Sequence, residues 1–403
     1  MLTLAFETQE AEQAQHPVAR WQLSDPRMPE EDPNILPEFW PWSLNHPEHL
    51  VFVNKFWETY IEQVVHFAEI AENEEVDIYS LGTETDRLFR SRYGGSGFIG
   101  QHLVRKIDTV YINGDLKMND DLSQLCDIRQ PITIELDEPI ETIYNLVVIH
   151  KTPGHEYHEY FETNIKGAEN VCNFAREQNI NTIVFTSSIA PYGTWEDEKT
   201  EESLPLPTSA YGSSKLVAEE IHKRWQAEKP NERKLIIVRP GVVFGQNEGG
   251  NFTRLYKSMK KGQFFYPGRK DTKKAAIYVR DLVRLMVEMV AKEKPGVHLY
   301  NTVYTPIHSI EDICKTMAKV TDAKEPKLTI PSGALKLLAH TIKGIGKLVG
   351  KSFDGIHPDR VKKLMISTNI NGQKLLDHGY KMEYSLEEAI SDWWNDCNQE
   401  GLY

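Results

Sequence analysis

Tyr211 and Lys215 stand four residues apart in Tyr211-Gly212-Ser213-Ser214-Lys215, which opens an amphipathic run, so the two side chains share one helix face a turn apart. An ammonium beside a phenol favours phenolate. It brings a tyrosine down from its ordinary pKa of about 10 toward a value useful to a general base. Upstream, the apolar run Thr182 to Phe185 ends in Thr186-Ser187-Ser188, setting a hydroxyl at the carboxyl end of a strand, where open α/β sheets bind ligands. Ser188 is then placed to orient or relay the same proton. Alone, Y-x-x-x-K usually marks a solvated helix face; in order with a serine-ended strand and a glycine turn, chance is a poor explanation.

The glycine turn is Tyr93-Gly94-Gly95-Ser96-Gly97-Phe98-Ile99-Gly100, leading into the helical pattern Gln101 to Val104. Gly94, Gly97 and Gly100 let the backbone turn tightly, approach a pyrophosphate and pack helix on sheet, while the helix N-terminus favours the anion; Phe98 and Ile99 complete the turn. The apolar strand Thr109 to Ile112 follows, then Asp115, at about the 20-residue spacing of an acid that bonds an adenosine ribose. A carboxylate there favours NAD over NADP. The bland alternative at this point is a strand-to-helix turn that holds no ligand.

These groups need a sheet to position them. Apolar strands at Thr109 to Ile112, Leu146 to Ile149, Thr182 to Phe185 and Leu235 to Val238 alternate with helical patterns, which predicts a parallel sheet covered on both faces. One demand is not met. A strand entering the glycine turn should be a continuous apolar run, but residues 86–92 supply Asp86, Arg87, Arg90 and Arg92. Three arginines cannot all be buried cheaply, so the first strand reads as missing or replaced, with weakened cofactor retention as the expected cost.

Charge separates the chain into two regions. Of its 403 residues, 1–92 hold 18 acids and 6 bases, leaving 41 acids and 40 bases for 93–403. A nearly neutral second region with no Lys/Arg run argues against nucleic-acid binding. Cys126, Cys172, Cys314 and Cys397 are dispersed without a C-x-x-C pair, so neither a metal nor disulfides are expected. Glu7, Glu10 and Glu12 stand where a secretory signal would need bases, and no stretch of about 18 uncharged apolar residues occurs. The expectation is a cytoplasmic protein. Leu335 to Val349, apolar with Lys336, Lys343 and Lys347, reads as a packed helix face before it reads as a membrane-surface helix.

Residues 93–403 resemble the NAD-dependent epimerase/dehydratase family of extended short-chain dehydrogenases. The motifs that carry the resemblance are GGSGFIG at 94–100, CDIRQPI at 126–132, NIKGAENV at 164–171, TSSIAPYG at 186–193, YGSSK at 211–215, RPGVVFG at 239–245 and YVRDLV at 278–283. The resemblance implies a doubly wound α/β fold of the Rossmann type, with a smaller substrate region mainly after residue 300. It implies that Asp127 and Ile128 line the adenine site, that Asn164 supports the active site, and that Ser188, Tyr211 and Lys215 are catalytic. It further implies that Asn251, Phe252 and Lys274 face a nucleotide-sugar diphosphate; for Lys274 a solvated surface charge is an equal alternative. A homodimer is the one macromolecular assembly this reading leaves room for.

Family members that resemble 4,6-dehydratases carry an Asp-Glu pair just after the strand-end hydroxyl, where this chain has Ile189 and Ala190. Without a second acid-base pair, the reading is oxidation and re-reduction at one carbon, an epimerisation at C4 that consumes no NAD. A reductase or dehydrogenase of the same fold is the alternative, separated by cofactor stoichiometry. A non-catalytic or impaired fusion protein is a third. Residues 49–92 resemble a fragment of a glycoside hydrolase (β/α)8 barrel, with Glu84 where a general acid would sit, but a barrel needs about 250 residues and a second carboxylate.

Overall fold

The computed structural model describes residues 97–107, 113–115, 123–134, 139–148, 157–194, 196–331 and 366–403, with residues 136 and 333. All fall in one unit, Arg92–Tyr403. The barrel-like stretch 49–92 with Glu84, the arginines before the glycine turn, Gly94 and the apolar run 335–349 lie outside the described residues.

The sheet that positions the site has four parallel strands in the order β3 (Thr142–Asn145), β4 (Thr182–Thr186), β5 (Lys234–Pro240) and β9 (Gly296–Thr302). Its two central strands alternate between two cores. Ile183, Phe185, Leu235 and Ile237 enter one cluster with Ala168, Val171 and Trp225; Val184, Ile236 and Val238 enter the other with Leu282, Leu285 and Met286. A strand buried on both faces has no position left for a polar alternation, which is why these runs are continuously apolar. Each such side chain contributes about 1.5–3 kcal/mol by leaving water.

The helices divide between the faces accordingly. On one face lie α3 (Gly167–Glu177) and α4 (Ala210–Ala227), and on the other α1 (Phe98–Lys106), α6 (Val279–Lys292) and α9 (Leu386–Asp396). A separate parallel pair joins β1 (Asn113–Asp115) to β2 (Ser123–Leu125), with Asp115 opposite Leu125. Short parallel pairs join β6 (Val242–Phe244) to β8 (Ala276–Tyr278), and β7 (Tyr266–Pro267) to β10 (Thr329–Ile330). Elements from before residue 300 therefore take part in the C-terminal layer.

One strand expectation shifts. The pairing expected at Leu146 to Ile149 lies at Thr142–Asn145 instead, in register with Thr182–Phe185. Leu146 is buried and Val147 packs against the second cluster, so their apolar character serves packing just beyond the ladder. The strand expected at Thr109 to Ile112 lies outside the described residues, and Asn113–Asp115 is strand.

Candidate active site

The carboxyl ends of the parallel strands gather the polar groups. Asp115 ends β1, Asp127 and Ile128 follow β2, and Ser187 and Ser188 follow β4. Gly97 is the N-cap of α1, extended at φ −70° and ψ 173°, and no side chain among the described residues caps this helix. The first intrahelical bond is Gln101 N–H to the Gly97 carbonyl at 2.9 Å, so the preceding amides of the turn carry the exposed positive end of the helix. Phe98 and Ile99 are half-buried against the first core cluster, and Gly100 is buried.

Ser209 starts α4 by accepting from Gly212 N–H at 3.1 Å, which sets Tyr211 in the first turn and Lys215 one turn below. The 3-10 turn Ala190–Tyr192 packs over this helix start. Ser188 Oγ accepts from Ala190 N–H at 3.1 Å, fixing the hydroxyl, and it hydrogen-bonds the Tyr211 phenol. Tyr211, Ser188 and Lys215 are thus brought together.

Their electrostatics differ from the expectation. Burial pushes the Tyr211 phenol up to about 12, against the opposing pull of the Ser188 hydrogen bond, while the nearby Tyr160, its ring centroid 6.4 Å away, adds to the rise. Lys215 does not turn toward the phenol. Its Nζ donates to the Thr186 carbonyl at 2.9 Å and lies 4.6 Å from the centre of the Phe185 ring. Burial lowers the Lys215 ammonium to about 7, partly countered by Glu219. The phenolate-by-lysine expectation is therefore corrected for the protein alone: burial raises the phenol, the Ser188 hydrogen bond opposes it, and Lys215 is not among the causes.

Asn164 lies in a π-helical turn, Glu162–Lys166, that joins α2 (Tyr157–Phe161) to α3; such insertions are frequent at functional sites. Its Nδ2 donates to Ser214 Oγ at 2.9 Å, and Ser214 Oγ donates to the Tyr211 carbonyl at 2.9 Å. Asn164 Oδ1 and Thr186 Oγ1 are buried with no partner among the described residues. Asp127 receives the Arg129 guanidinium, with Nε at 2.8 Å, and Ile128 offers its carbonyl to Asn170 Nδ2 at 2.8 Å. The turn after β2 is thereby held to α3.

The expected substrate-side residues are placed differently. Asn251 opens α5 (Asn251–Lys260), exposed, accepting from Arg254 at 2.7 Å. The Phe252 ring is buried and stacked on Phe244 with centroids 4.4 Å apart, so it belongs to the core and not to an open face. Glu248 already holds the first turn of this helix, accepting from Thr253 N–H at 3.0 Å. Lys274 is not a free surface charge: half-buried, it donates to the Ile366 carbonyl at 2.9 Å. Burial lowers its ammonium to about 8.

A buried polar group that the motifs did not announce lies beneath the site. Glu219, one turn beyond Lys215, accepts from Ser187 Oγ at 2.5 Å and from Arg239 Nε at 2.9 Å and Nη2 at 2.6 Å. Arg239 closing the apolar run Leu235 to Val238 is the sequence signal, since a charge there requires a partner.

An uncapped helix N-terminus behind a glycine turn, a strand-ending acid, a buried lysine with donors to spare and orphaned oxygens at Asn164 and Thr186 suit an extended dinucleotide. Solved structures share the fold. UDP-N-acetylglucosamine 4-epimerase from Bacillus cereus superposes with a TM-score of 0.59 at 18% identity, covering 77% of this chain and 98% of its own. MoeE5 in complex with UDP-glucose and NAD has a TM-score of 0.56 at 20% identity, covering 76% and 98%. In sequence, the N-acetyl-alpha-D-glucosaminyl-diphospho-ditrans,octacis-undecaprenol 4-epimerase of Escherichia coli O157:H7 is 27% identical over 308 residues, 74% of this chain and 91% of the relative. The model of the NAD dependent epimerase/dehydratase family matches residues 93–302, from the glycine turn to the end of β9. With that match over more than half of its length, and the glycine turn, strand-end serine and Tyr-Lys helix in the family's order, the chain belongs to the NAD dependent epimerase/dehydratase family.

Proposed function

We propose that this protein is an NAD-dependent epimerase that inverts a sugar at C4 while the sugar is attached to a nucleoside diphosphate. The observation that carries the reading is the joining of Ser188 to Tyr211 above Lys215, with apolar Ile189 and Ala190 where a second acid-base pair would stand. Tyr211 takes the proton of the sugar hydroxyl and later returns it. Ser188 holds the same oxygen and shares the proton. Lys215, anchored on the Thr186 carbonyl, keeps its remaining donors for the cofactor's ribose. NAD, when bound by these residues, would supply reversible hydride transfer to and from the sugar carbon, and its oxidised form a positive charge that favours phenolate. Ile189 and Ala190 offer no group to remove a second proton, so elimination of water has no catalyst here.

On the cofactor side, Gly94, Gly97, Phe98, Ile99 and Gly100 are assigned to the pyrophosphate, Asp115 to the adenosine ribose, and Asp127 and Ile128 to the adenine. Asn164, Asn251 and Lys274 are assigned to the substrate side, Phe252 supporting Asn251 through its packing.

The test is direct: Tyr211→Phe lowers turnover by at least roughly a hundredfold, the scale of a lost general base, with NAD affinity by calorimetry nearly unchanged. Undiminished epimerisation removes Tyr211 from the mechanism. One observation favours a second substrate reading. The Escherichia coli relative, aligned over 91% of its length, acts on a sugar carried by a polyprenyl diphosphate. Both substrates present a sugar on a diphosphate, so competing turnover of a UDP-sugar and its undecaprenyl-diphosphate counterpart separates them.

A further inference from the structure

Beneath the catalytic helix runs a chain of buried polar contacts. The Arg239 side chain is 2% exposed and the Glu219 side chain 0%, and their two hydrogen bonds form a bidentate ion pair. The Arg239 guanidinium also lies 4.6 Å from the centre of the Tyr192 ring, and Tyr192 Oη donates to Asn301 Oδ1 at 2.8 Å. Asn301 is held in turn: its backbone N–H donates to Glu201 at 2.7 Å and its Nδ2 to the Asn371 carbonyl at 2.9 Å. Arg239 is therefore fixed from behind by groups on four other segments.

A buried ion pair is a poor stability device, because apolar residues of similar volume commonly do as well or better. Its retention needs another reason. The carboxylate has two neighbours in the site: Ser187, whose hydroxyl it accepts and which directly precedes Ser188, and Lys215, one turn earlier on α4. Lys215 donates to the Thr186 carbonyl and not to Glu219, so the carboxylate acts on it across space while remaining fixed to Arg239.

We propose that Glu219, clamped by Arg239, is a positioning residue for the site: it fixes the Ser187–Ser188 turn and supplies a negative charge that favours the ammonium form of Lys215. This rests on the roles given above to Ser188 and Lys215. Among the described residues, the charged and titratable groups set against Lys215 are Glu219 and His222 on its own helix, and Arg239 on β5 faces Glu219; Glu219 is the anion among them. Because burial brings the ammonium to about 7, the position is sensitive. A fall of about one unit takes its charged fraction at pH 7 from about a half to about a tenth.

The test reads ionisation independently of turnover. Lysine-labelled full-length protein is titrated by 13Cε NMR, with Lys215 assigned by its loss in Lys215→Met. Glu219→Gln keeps shape and a hydrogen-bond acceptor for Ser187 but removes the charge, and the Lys215 midpoint is expected to fall by about one pH unit; Glu219→Asp is expected to restore most of it. If Glu219→Gln leaves Arg239 uncompensated and does not fold, Glu219→Gln/Arg239→Gln is titrated instead, with the same direction expected. An unchanged midpoint in whichever variant folds overturns the proposal. Where the wild type turns over a sugar, the alkaline limb of its pH profile moves down with the midpoint. A midpoint that moves in a protein that epimerises nothing leaves Glu219 its role and rejects the functional reading instead.

Discussion

At the residue scale, the site is a competition between burial and charge. Dehydration pushes the Tyr211 phenol to about 12 and the Lys215 ammonium to about 7, so each is biased toward its neutral form in the protein alone. His222 obeys the same rule more fully. Buried among Phe185, Asn145 and its own helix, it donates from Nδ1 to the Ala218 carbonyl at 2.7 Å and faces Asn145 Nδ2 with Nε2 at 3.4 Å. That arrangement requires neutral imidazole, and burial lowers the pKa to about 4 from an ordinary 6.5. Because the unfolded chain binds the proton more readily between those values, the stability from neutral His222 is complete above pH 6.5. It is lost as pH falls toward 4 and is of order 3 kcal/mol in total. His222→Gln should flatten the fall in unfolding midpoint over that window, as measured by urea denaturation at a series of pH values. An unaltered slope would assign the pH dependence to other groups.

At the scale of elements, the site depends on how closely α4 approaches the turn after β4. A Cβ on Gly212 would lie 2.5 Å from the Ala190 carbonyl oxygen and 3.1 Å from Pro207 Cβ. Backbone cannot yield cheaply, so Gly212→Ala should cost about 1–3 kcal/mol in a thermal melt. It should lower turnover by more than the stability loss accounts for, because the same turn holds Ser188 to Ala190 N–H. Wild-type turnover in a folded variant would show that this approach does not set the Ser188–Tyr211 geometry. Much of this level was legible in the sequence: the continuous apolar runs at β4 and β5 announce strands buried on both faces, and Tyr211 and Lys215 announce a shared helix face. The β3 pairing was not, because Leu146 and Val147 look like strand but pack just past the ladder, while Thr142 and Asn145 look polar yet pair within it. Nor could one residue's neighbours in sequence reveal that Lys215 turns to Thr186, that the Phe252 ring is core, or that Glu219 meets Arg239 20 residues away.

At the scale of the whole molecule, the parallel strands deliver Asp115, Asp127 and Ser188 to their carboxyl ends, and the family's order of motifs turns that geometry into a nucleotide-dependent oxidation. In the proposed function Asp115 carries the cofactor choice. Its carboxylate repels a 2′-phosphate, so calorimetric titration should find NAD bound at least roughly tenfold tighter than NADP, and Asp115→Asn should narrow the gap. Equal or tighter NADP binding in the wild type would remove Asp115 from the ribose. Among the described residues no helix is long and apolar enough to cross a membrane.

The central claim is that oxidation and re-reduction occur at one carbon with no net use of cofactor. It is tested most directly with a UDP-sugar deuterated at C4, incubated with the protein and catalytic NAD and followed by NMR and by absorbance of reduced cofactor. The account predicts that both C4 epimers appear, that each retains its deuterium, and that NADH does not build up beyond the enzyme present. One NADH per sugar oxidised, or reduction that requires added NADH or NADPH, would contradict it and make the protein a dehydrogenase or reductase of the same fold.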